Sequence, residues 1–382
     1  MRRTFTAALA AATLLALSAT GALAHGFQRP FPSPPPANVF TNQVFFDGAS
    51  LRHKIPGGSE PLADPDDISY VAGHILVGFQ NGVGPQGQAS ASGNLDSTIV
   101  ELDLSGHALA QWDVLGKADG VTADPYDGLV YATVNEDANS SLYVINPWSG
   151  AVTHYAYSET LPHDGGTDAI SFYDGMTLIS ASAPGTTGAG APQPTYPAVY
   201  AATLDPATQI ATVKPLFYDE AKASLANIGA GSGSTVTLGL TDPDSNEDVP
   251  FYAPRFAGQF MLTSQGDQQQ IFVNAAGTPW QSLSVLNLSA SVDDTAWPSD
   301  SQGAIYTTDN GRDTVNRITG PFQVGSVVAA VTPCDENSAP ATCPAPGYPA
   351  NYLGEIDPWT GQITALTVDG PAVAPQGMLF LP

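Results

Sequence analysis

The sequence predicts an all-β protein with the architecture of a β-propeller. Short apolar and β-branched runs are separated at short intervals by Gly, Asp, Asn and Pro, and helical periodicity is almost absent. The chain also repeats itself: residues 142–157 and 352–368 each contain a strand, an Asx-Pro-Trp-x-Gly turn and a second strand. Units of four strands at roughly 45–50 residues have the spacing of a propeller blade.

The number of blades follows from the hairpins that end each unit. These hairpins are expected at residues 43–55, 98–114, 142–157, 199–217, 271–288, about 314–324 and 352–368. They predict seven four-stranded blades, with six as the alternative because the region 314–332 is ambiguous. Residues 375–380 resemble the first strand of a unit that the N-terminal hairpin would complete. Pairing the N- and C-terminal strands in one blade would close the ring and remove open sheet edges.

The N-terminal region has the three parts of a secretory signal. Arg2 and Arg3 precede a short apolar stretch, and Ala-Leu-Ala at 22–24 matches a signal-peptidase site. The stretch is shorter than the roughly 20 apolar residues of a membrane span. We therefore expect a signal peptide at 1–24, a proline-rich leader at 25–42 and one propeller domain at 43–382. The expected location is secreted, either extracellular or periplasmic.

The charge balance and the cysteines narrow the functional classes. Asp and Glu number 36 against 11 Lys and Arg, a formal net charge of −25. This excess argues against nucleic acid and anionic membranes as partners, and favours solubility and cation binding. Cys334 and Cys343 flank a proline-rich loop, so a disulfide is expected in an oxidising compartment. We expect a monomer without a membrane span.

One segment carries a family resemblance. Residues 303–318, Gly-Ala-Ile-Tyr-Thr-Thr-Asp-Asn-Gly-Arg-Asp-Thr-Val-Asn-Arg-Ile, resemble an NHL-type repeat, with a strand, an Asp-Asn-Gly turn and a following strand. The wider pattern is similar to the NHL and gluconolactonase (senescence-marker) propellers. The similarity is good over about one blade and loose elsewhere. It implies architecture more than activity.

The first strands of the units align in a column of polar residues. The column consists of Asp66, Asp119, Asp168, Glu247, Asp293 and Gln376. It lies where each strand enters the ring, so five carboxylates are expected around the mouth of a central channel, with Gln376 as a further binding residue. Crowded carboxylates recruit a cation, and oxygen ligands favour calcium before magnesium. Alternatively, each acid caps the turn before its strand and binds nothing.

The family resemblance implies a catalytic or structural metal at the same end of the channel. The carboxylate column does not reproduce the family's own pattern of Glu, Asn and Asp. His163 lies five residues before Asp168 in a Gly-rich loop. It is a candidate general base beside a metal-polarised carbonyl, or else an exposed loop residue.

Two functions remain open. The sequence lacks Gly-x-Ser-x-Gly, His-Glu-x-x-His and a phosphate-binding loop, and predicts no organic cofactor. The favoured hypothesis is a scaffold that binds a small molecule or a protein on its loop face, with a calcium site in the channel. The alternative is a metal-dependent hydrolase or lyase acting on a lactone, ester or sugar-derived substrate.

Overall fold

The computed structural model describes residues 39–162, 166–182, 196–333 and 351–382. Within these ranges the chain is built of β-strands and two short 3-10 turns, Gly48–Ser50 and Asn310–Arg312, and contains no α-helix. The strands are β1 (Val39–Asp47), β2 (Arg52–Ile55), β3 (Gly58–Pro61), β4 (Pro65–Val71), β5 (His74–Phe79), β6 (Asp96–Asp103), β7 (Ala108–Leu115), β8 (Ala118–Ala123), β9 (Val130–Val134), β10 (Ser141–Asn146), β11 (Ala151–Tyr157), β12 (Ile170–Tyr173), β13 (Met176–Ser180), β14 (Pro197–Asp205), β15 (Ile210–Tyr218), β16 (Lys222–Leu225), β17 (Thr235–Thr237), β18 (Pro243–Asp248), β19 (Phe260–Ser264), β20 (Gln269–Asn274), β21 (Ser282–Asn287), β22 (Val292–Ala296), β23 (Ala304–Asp309), β24 (Thr314–Thr319), β25 (Val327–Val331), β26 (Tyr352–Ile356), β27 (Ile363–Ala365), β28 (Thr367–Asp369) and β29 (Met378–Leu381).

In the described ranges the strands form six four-stranded antiparallel blades. From the inside outwards these are blade 1 (β4 to β7), blade 2 (β8 to β11), blade 3 (β12 to β15), blade 4 (β18 to β21), blade 5 (β22, β25, β26, β27) and blade 6 (β29, β23, β24, β1). The innermost strands contact one another in the order β4, β8, β12, β18, β22, β29 and back to β4, which closes a ring. The described strands thus agree with the alternative count of six rather than with seven.

The blade count differs because two of the expected hairpins share one blade. β1 pairs with β24, so the segments near 43–55 and 314–324 both belong to blade 6. β29 is the innermost strand of this blade, and β23 lies between β29 and β24. The first and last described strands therefore lie in one blade but do not pair with each other. On its outer side β1 pairs in parallel with β28.

The hydrophobic core consists of clusters that lie between neighbouring blades. β20 shows why the sequence folds in this way, because successive side chains of a strand point to opposite faces. Ile271 and Val273 pack against blade 3, whereas Phe272 packs against blade 5. The central strands are buried on both faces and therefore read as apolar runs in the sequence. The outer strand β7 alternates between buried and exposed residues, since one of its faces meets solvent.

Several additions cover the outer edges of the blades. β16 pairs in parallel with β21 and extends blade 4, and β11 pairs in parallel with β15 of the next blade. Such pairings protect edges that would otherwise be open to other chains.

Some predictions fall outside the described ranges. The signal peptide at 1–24, most of the leader, His163 and both cysteines, Cys334 and Cys343, belong to the residues that the structure does not describe. Export, the disulfide and the domain boundaries therefore stay predictions. No helix in the described part of the chain is long and apolar enough to cross a membrane.

Candidate functional site in the central channel

A β-bulge recurs near the start of the innermost strands. The pairing register shifts between Pro65 and Ile68 in β4, and equivalent shifts occur in β8, β18 and β22. Blades 3 and 6 have a related arrangement just before β12 and β29. There the N–H of Asp168 donates to Ser180 O at 3.0 Å, and that of Gln376 donates to Thr308 O at 3.1 Å. A bulge re-aims a side chain, so the repeated irregularity presents one residue of each blade to the channel.

In each of these irregularities, the first residue that lies inside the register shift, such as Asp66 after Pro65, is polar. Together they form the channel ring, defined as Asp66, Asp119, Asp168, Asp244, Asp293 and Gln376. The structure places Asp244 in this ring, not Glu247, which lies three residues further along β18. The sequence did contain the correct signal: Pro243-Asp244 repeats Pro65-Asp66 at the start of a strand.

The channel ring lies between two cavities. The strand cavity, of about 280 Å³, is lined by the innermost strands from the ring towards their C-terminal ends, including Phe172 and Asp248. The loop cavity, of about 430 Å³, is lined by ring residues and by loop residues such as Gln80, Lys117 and Glu136. Four of the ring carboxylates line both cavities, namely Asp66, Asp168, Asp244 and Asp293. The ring is therefore accessible from two sides.

The second residue of a bulge often joins neighbouring blades. Asp67 Oδ2 accepts a hydrogen bond from the Val121 N–H at 2.6 Å, and Asp294 Oδ2 accepts one from the Met378 N–H at 2.6 Å. These second acids therefore hold backbone N–H groups of the next blade against their own strand. Among the described residues, no backbone N–H donates to the side chains of the ring residues Asp66, Asp119, Asp168 and Asp244.

Lys117 contacts one member of the ring, and Gln80 bridges two. The Lys117 ammonium lies 3.0 Å from Asp119 Oδ1 and also contacts Glu136. Gln80 Nε2 donates to Asp66 Oδ2 at 2.8 Å and to Asp119 Oδ1 at 3.0 Å. Asp119 is only 3% exposed, yet its Oδ2 has no hydrogen-bond partner in the described part of the chain. A buried polar oxygen without a partner costs about 1–3 kcal/mol, so this atom marks a place for a ligand or water.

Burial and crowding change the protonation of the ring. Burial raises the pKa of Asp66 to about 7, although the nearby Lys117 charge acts in the opposite direction. Burial also raises the pKa of Asp119, Asp168 and Asp244 well above the usual range, and neighbouring carboxylates add to the effect. A cation in the channel would lower these pKa values again, because a nearby opposite charge favours the ionised carboxylate.

Glu247 lies in the strand cavity below the ring. Its Oε1 accepts a hydrogen bond from Trp297 Nε1 at 3.0 Å and another from the Thr295 hydroxyl. Burial, together with the charge of Asp294, raises the pKa of Glu247 to about 8. Glu247 is therefore a buried acid that keeps its proton at neutral pH.

The ring offers oxygen donors, which suit calcium or magnesium. Within the described ranges, however, no three His, Cys, Asp or Glu residues are close enough together to coordinate one metal ion directly. The carboxylates surround the channel instead of converging on a point.

The fold and the site define an acidic-channel β-propeller. No family model matches the chain, and no curated protein is similar to it. Similar solved structures include a protein of unknown function from Bacteroides caccae, with 12% identity, 90% of this chain and 99% of that chain covered, and a TM-score of 0.47. They also include the periplasmic gluconolactonase of Pseudomonas aeruginosa, with 14% identity, 88% and 93% covered, and a TM-score of 0.41.

A putative gluconolactonase is similar over 87% of this chain and 94% of that chain, at 10% identity and a TM-score of 0.41. The resemblance to gluconolactonase-like propellers that the sequence predicted is thus found again among the solved structures. It concerns the fold.

Proposed function

We propose that this chain is a binding protein whose central channel takes a divalent cation, calcium before magnesium. The observation that carries the proposal is the channel ring, in which five innermost strands each present an aspartate at an equivalent position. The buried Asp119 adds support, because its Oδ2 has no hydrogen-bond partner among the described residues and needs a ligand or a water molecule.

Electrostatics supports a cation over a neutral ligand. Burial, and after it the neighbouring carboxylates, raises the pKa of Asp66, Asp119, Asp168 and Asp244, so ionising these four side chains without a cation is costly. A divalent cation would offset that cost by direct or water-mediated contact. Calcium accepts six to eight oxygen ligands in flexible geometry, including water, whereas magnesium demands near-ideal octahedral geometry. A wide ring of carboxylates therefore suits calcium better.

The predicted export of the chain agrees with this choice. Extracellular calcium modules bind with dissociation constants of about 10⁻⁴–10⁻³ M, because calcium is abundant outside the cell. We expect the channel to bind in this range. On the same proposal the loop cavity, with its polar lining, is the place where a small molecule or a protein segment would meet the bound ion.

Calorimetry and thermal unfolding test the proposal. The mature chain, residues 25–382, is freed of metal with EDTA and then titrated with calcium or magnesium. We expect one equivalent of calcium to bind and to raise the melting temperature. Asp119→Asn should weaken calcium binding at least tenfold, whereas Asp300→Asn, at an exposed turn, serves as the matched control. Absence of saturable binding, or equal loss in both variants, would contradict the proposal.

The hydrolase or lyase alternative needs a base beside the cation. Its candidate base, His163, lies outside the described residues, and the cavity linings that are described contain no histidine. No specific observation therefore favours catalysis over binding. Assaying the calcium-loaded protein against lactones and esters, with His163→Ala alongside, would decide between the two.

A further inference from the structure

A second site is suggested by one of the two repeated tryptophan turns. Residues 357–361 connect β26 and β27, and Asp357 Oδ1 accepts the N–H of Trp359 at 2.8 Å. The Gly361 N–H closes the turn on Asp357 O at 2.8 Å, with Gly361 at a φ of +73°. This is the expected Asx-turn chemistry. It leaves Trp359 at the tip of the turn, 41% exposed.

Neighbouring segments hold this turn in place. The Ile228 N–H donates to Trp359 O at 2.8 Å, and Asn227 Nδ2 donates to Thr360 O at 2.7 Å. Arg255 Nη1 donates to Pro358 O at 2.6 Å. The indole therefore projects from a backbone that is already ordered, so a ligand that stacks on it would pay little additional ordering entropy.

A groove of about 600 Å³ lies beside the exposed indole. We call it the indole groove. Its lining includes Pro254, Val324, Glu355, Asp357, Pro358 and Trp359. A groove of this size is within the range of small-molecule sites, which combine apolar walls with a few polar groups.

The charge in the indole groove is of one sign. Two carboxylates, Glu355 and Asp357, line it, and none of its described lining residues is Lys or Arg. The nearby Arg255 donates to Pro358 O and Ala226 O, and its positive charge also interacts with Asp357, which leaves Glu355 as the second carboxylate of the groove. The hydrogen bond from the Trp359 N–H lowers the pKa of Asp357, so this carboxylate stays ionised.

We propose that the indole groove binds a quaternary ammonium group of a small organic molecule. Such a cation is attracted to the face of an aromatic ring, and Trp is the strongest of the three aromatic partners. The Trp359 face would hold the cation, the two carboxylates would neutralise it, and the pyrrolidine and valine side chains would contact its methyl groups. This site is separate from the channel ring and does not depend on the function proposed above.

The other tryptophan turn provides an internal comparison. In residues 146–150, Asn146 Oδ1 accepts the N–H of Trp148 at 3.0 Å, so the same turn forms with Asn in the place of Asp357. Trp148 is 66% exposed and lies over Gly128. It does not line the indole groove. Trp148→Ala is therefore a matched control for Trp359→Ala, and Asp357→Asn should remove a charge without breaking the turn.

Calorimetric titration with tetramethylammonium and choline tests the proposal, with saturating calcium present so that the channel does not compete. We expect saturable binding to the wild-type chain and to Trp148→Ala. Trp359→Ala should bind at least tenfold more weakly, and Asp357→Asn severalfold more weakly. The uncharged choline analogue 3,3-dimethylbutan-1-ol should not bind.

Three results would overturn the proposal. These are no saturable binding of either ammonium probe, equal binding of the uncharged analogue, and unchanged affinity in Trp359→Ala. If Trp359→Ala does not fold, Asp357→Asn decides, because the turn at 146–150 shows that Asn supports the same backbone. Unchanged affinity in that variant would then refute the charge-based recognition.

Discussion

Replacing Glu247 by Gln should remove one defined part of the pH dependence of stability. The folded protein raises the pKa of this side chain from 4.5 to about 8, chiefly through burial. The protonated acid is therefore favoured by folding. Its stabilising contribution is complete below pH 4.5, and it is lost as the pH rises through 8. Gln is a neutral isostere of the protonated acid and can still accept from Trp297 and Thr295.

The size of the effect follows from linkage. At 1.36 kcal/mol per pKa unit, the raised pKa corresponds to about 5 kcal/mol between pH 4.5 and pH 9. For a propeller of about 340 residues, an unfolding entropy of about 0.7 kcal/mol/K converts this to about 7 °C in melting temperature. Part of the effect is shared with Asp294, whose own pKa is raised to about 7. We therefore expect Glu247→Gln to remove at least about half of the 5 kcal/mol change in unfolding free energy.

The assay is denaturant and thermal unfolding of the metal-free protein at pH 5, 7 and 9. Wild type should lose stability relative to Glu247→Gln as the pH rises, and the difference between the two proteins isolates Glu247 from the other acids. Asp300→Asn, at an exposed site, should follow the wild-type profile. If Glu247→Gln also follows the wild-type profile, the side chain ionises normally and the reasoning about the channel interior is wrong.

Two further predictions concern the ring of blades. Gly120→Ala would place a Cβ 2.6 Å from Asp168 O of the next blade, whereas nothing lies within 4 Å of a Cβ at Gly58. Overpacking of this kind costs about 1–3 kcal/mol, so Gly120→Ala should melt lower and Gly58→Ala should melt like the wild type; equal melting temperatures would contradict the inter-blade contact. A chain that begins at Gly48 lacks β1 and leaves β24 as an open edge, so it should aggregate in size-exclusion chromatography, whereas a chain that begins at Val39 should not. A stable monomer without β1 would show that blade 6 does not need its outer strand.

Local pattern in the sequence was sufficient for the architecture and for most of the channel ring. The Asx-Pro-Trp-x-Gly turns and the alternating short strands depend on neighbouring residues alone, so they can be recognised without a structure. The ring positions of Asp66, Asp119, Asp168, Asp293 and Gln376 were recognised for the same reason: at or just before the start of each innermost strand, an acid or amide stands two residues before an Ile, Val, Thr or Met.

For β18 the sequence predicted Glu247 as the ring residue, whereas the structure has Asp244 at that position, and this difference shows where local pattern fails. β18 carries acids at both positions, and its sequence, Pro-Asp-Ser-Asn-Glu-Asp, lacks the apolar residues that mark the register of the other innermost strands. Which acid enters the ring is decided by pairing with β19, where the register shifts between Pro243 and Asn246. A one-residue shift in register moves every side chain of the strand to its other face, and the register is determined only by pairing with the partner strand.

The sequence by itself therefore determined an all-β repeat protein with acids at the entrance of its inner strands and two equivalent tryptophan turns. Tertiary structure alone decided how the blades are composed. β22 pairs with β25 across an intervening hairpin, and that hairpin is placed in blade 6 between the first and last described strands. The partners are distant in the chain, and what selects them is the burial of both sheet faces against the neighbouring blades. That burial is a property of the closed ring and of no single segment.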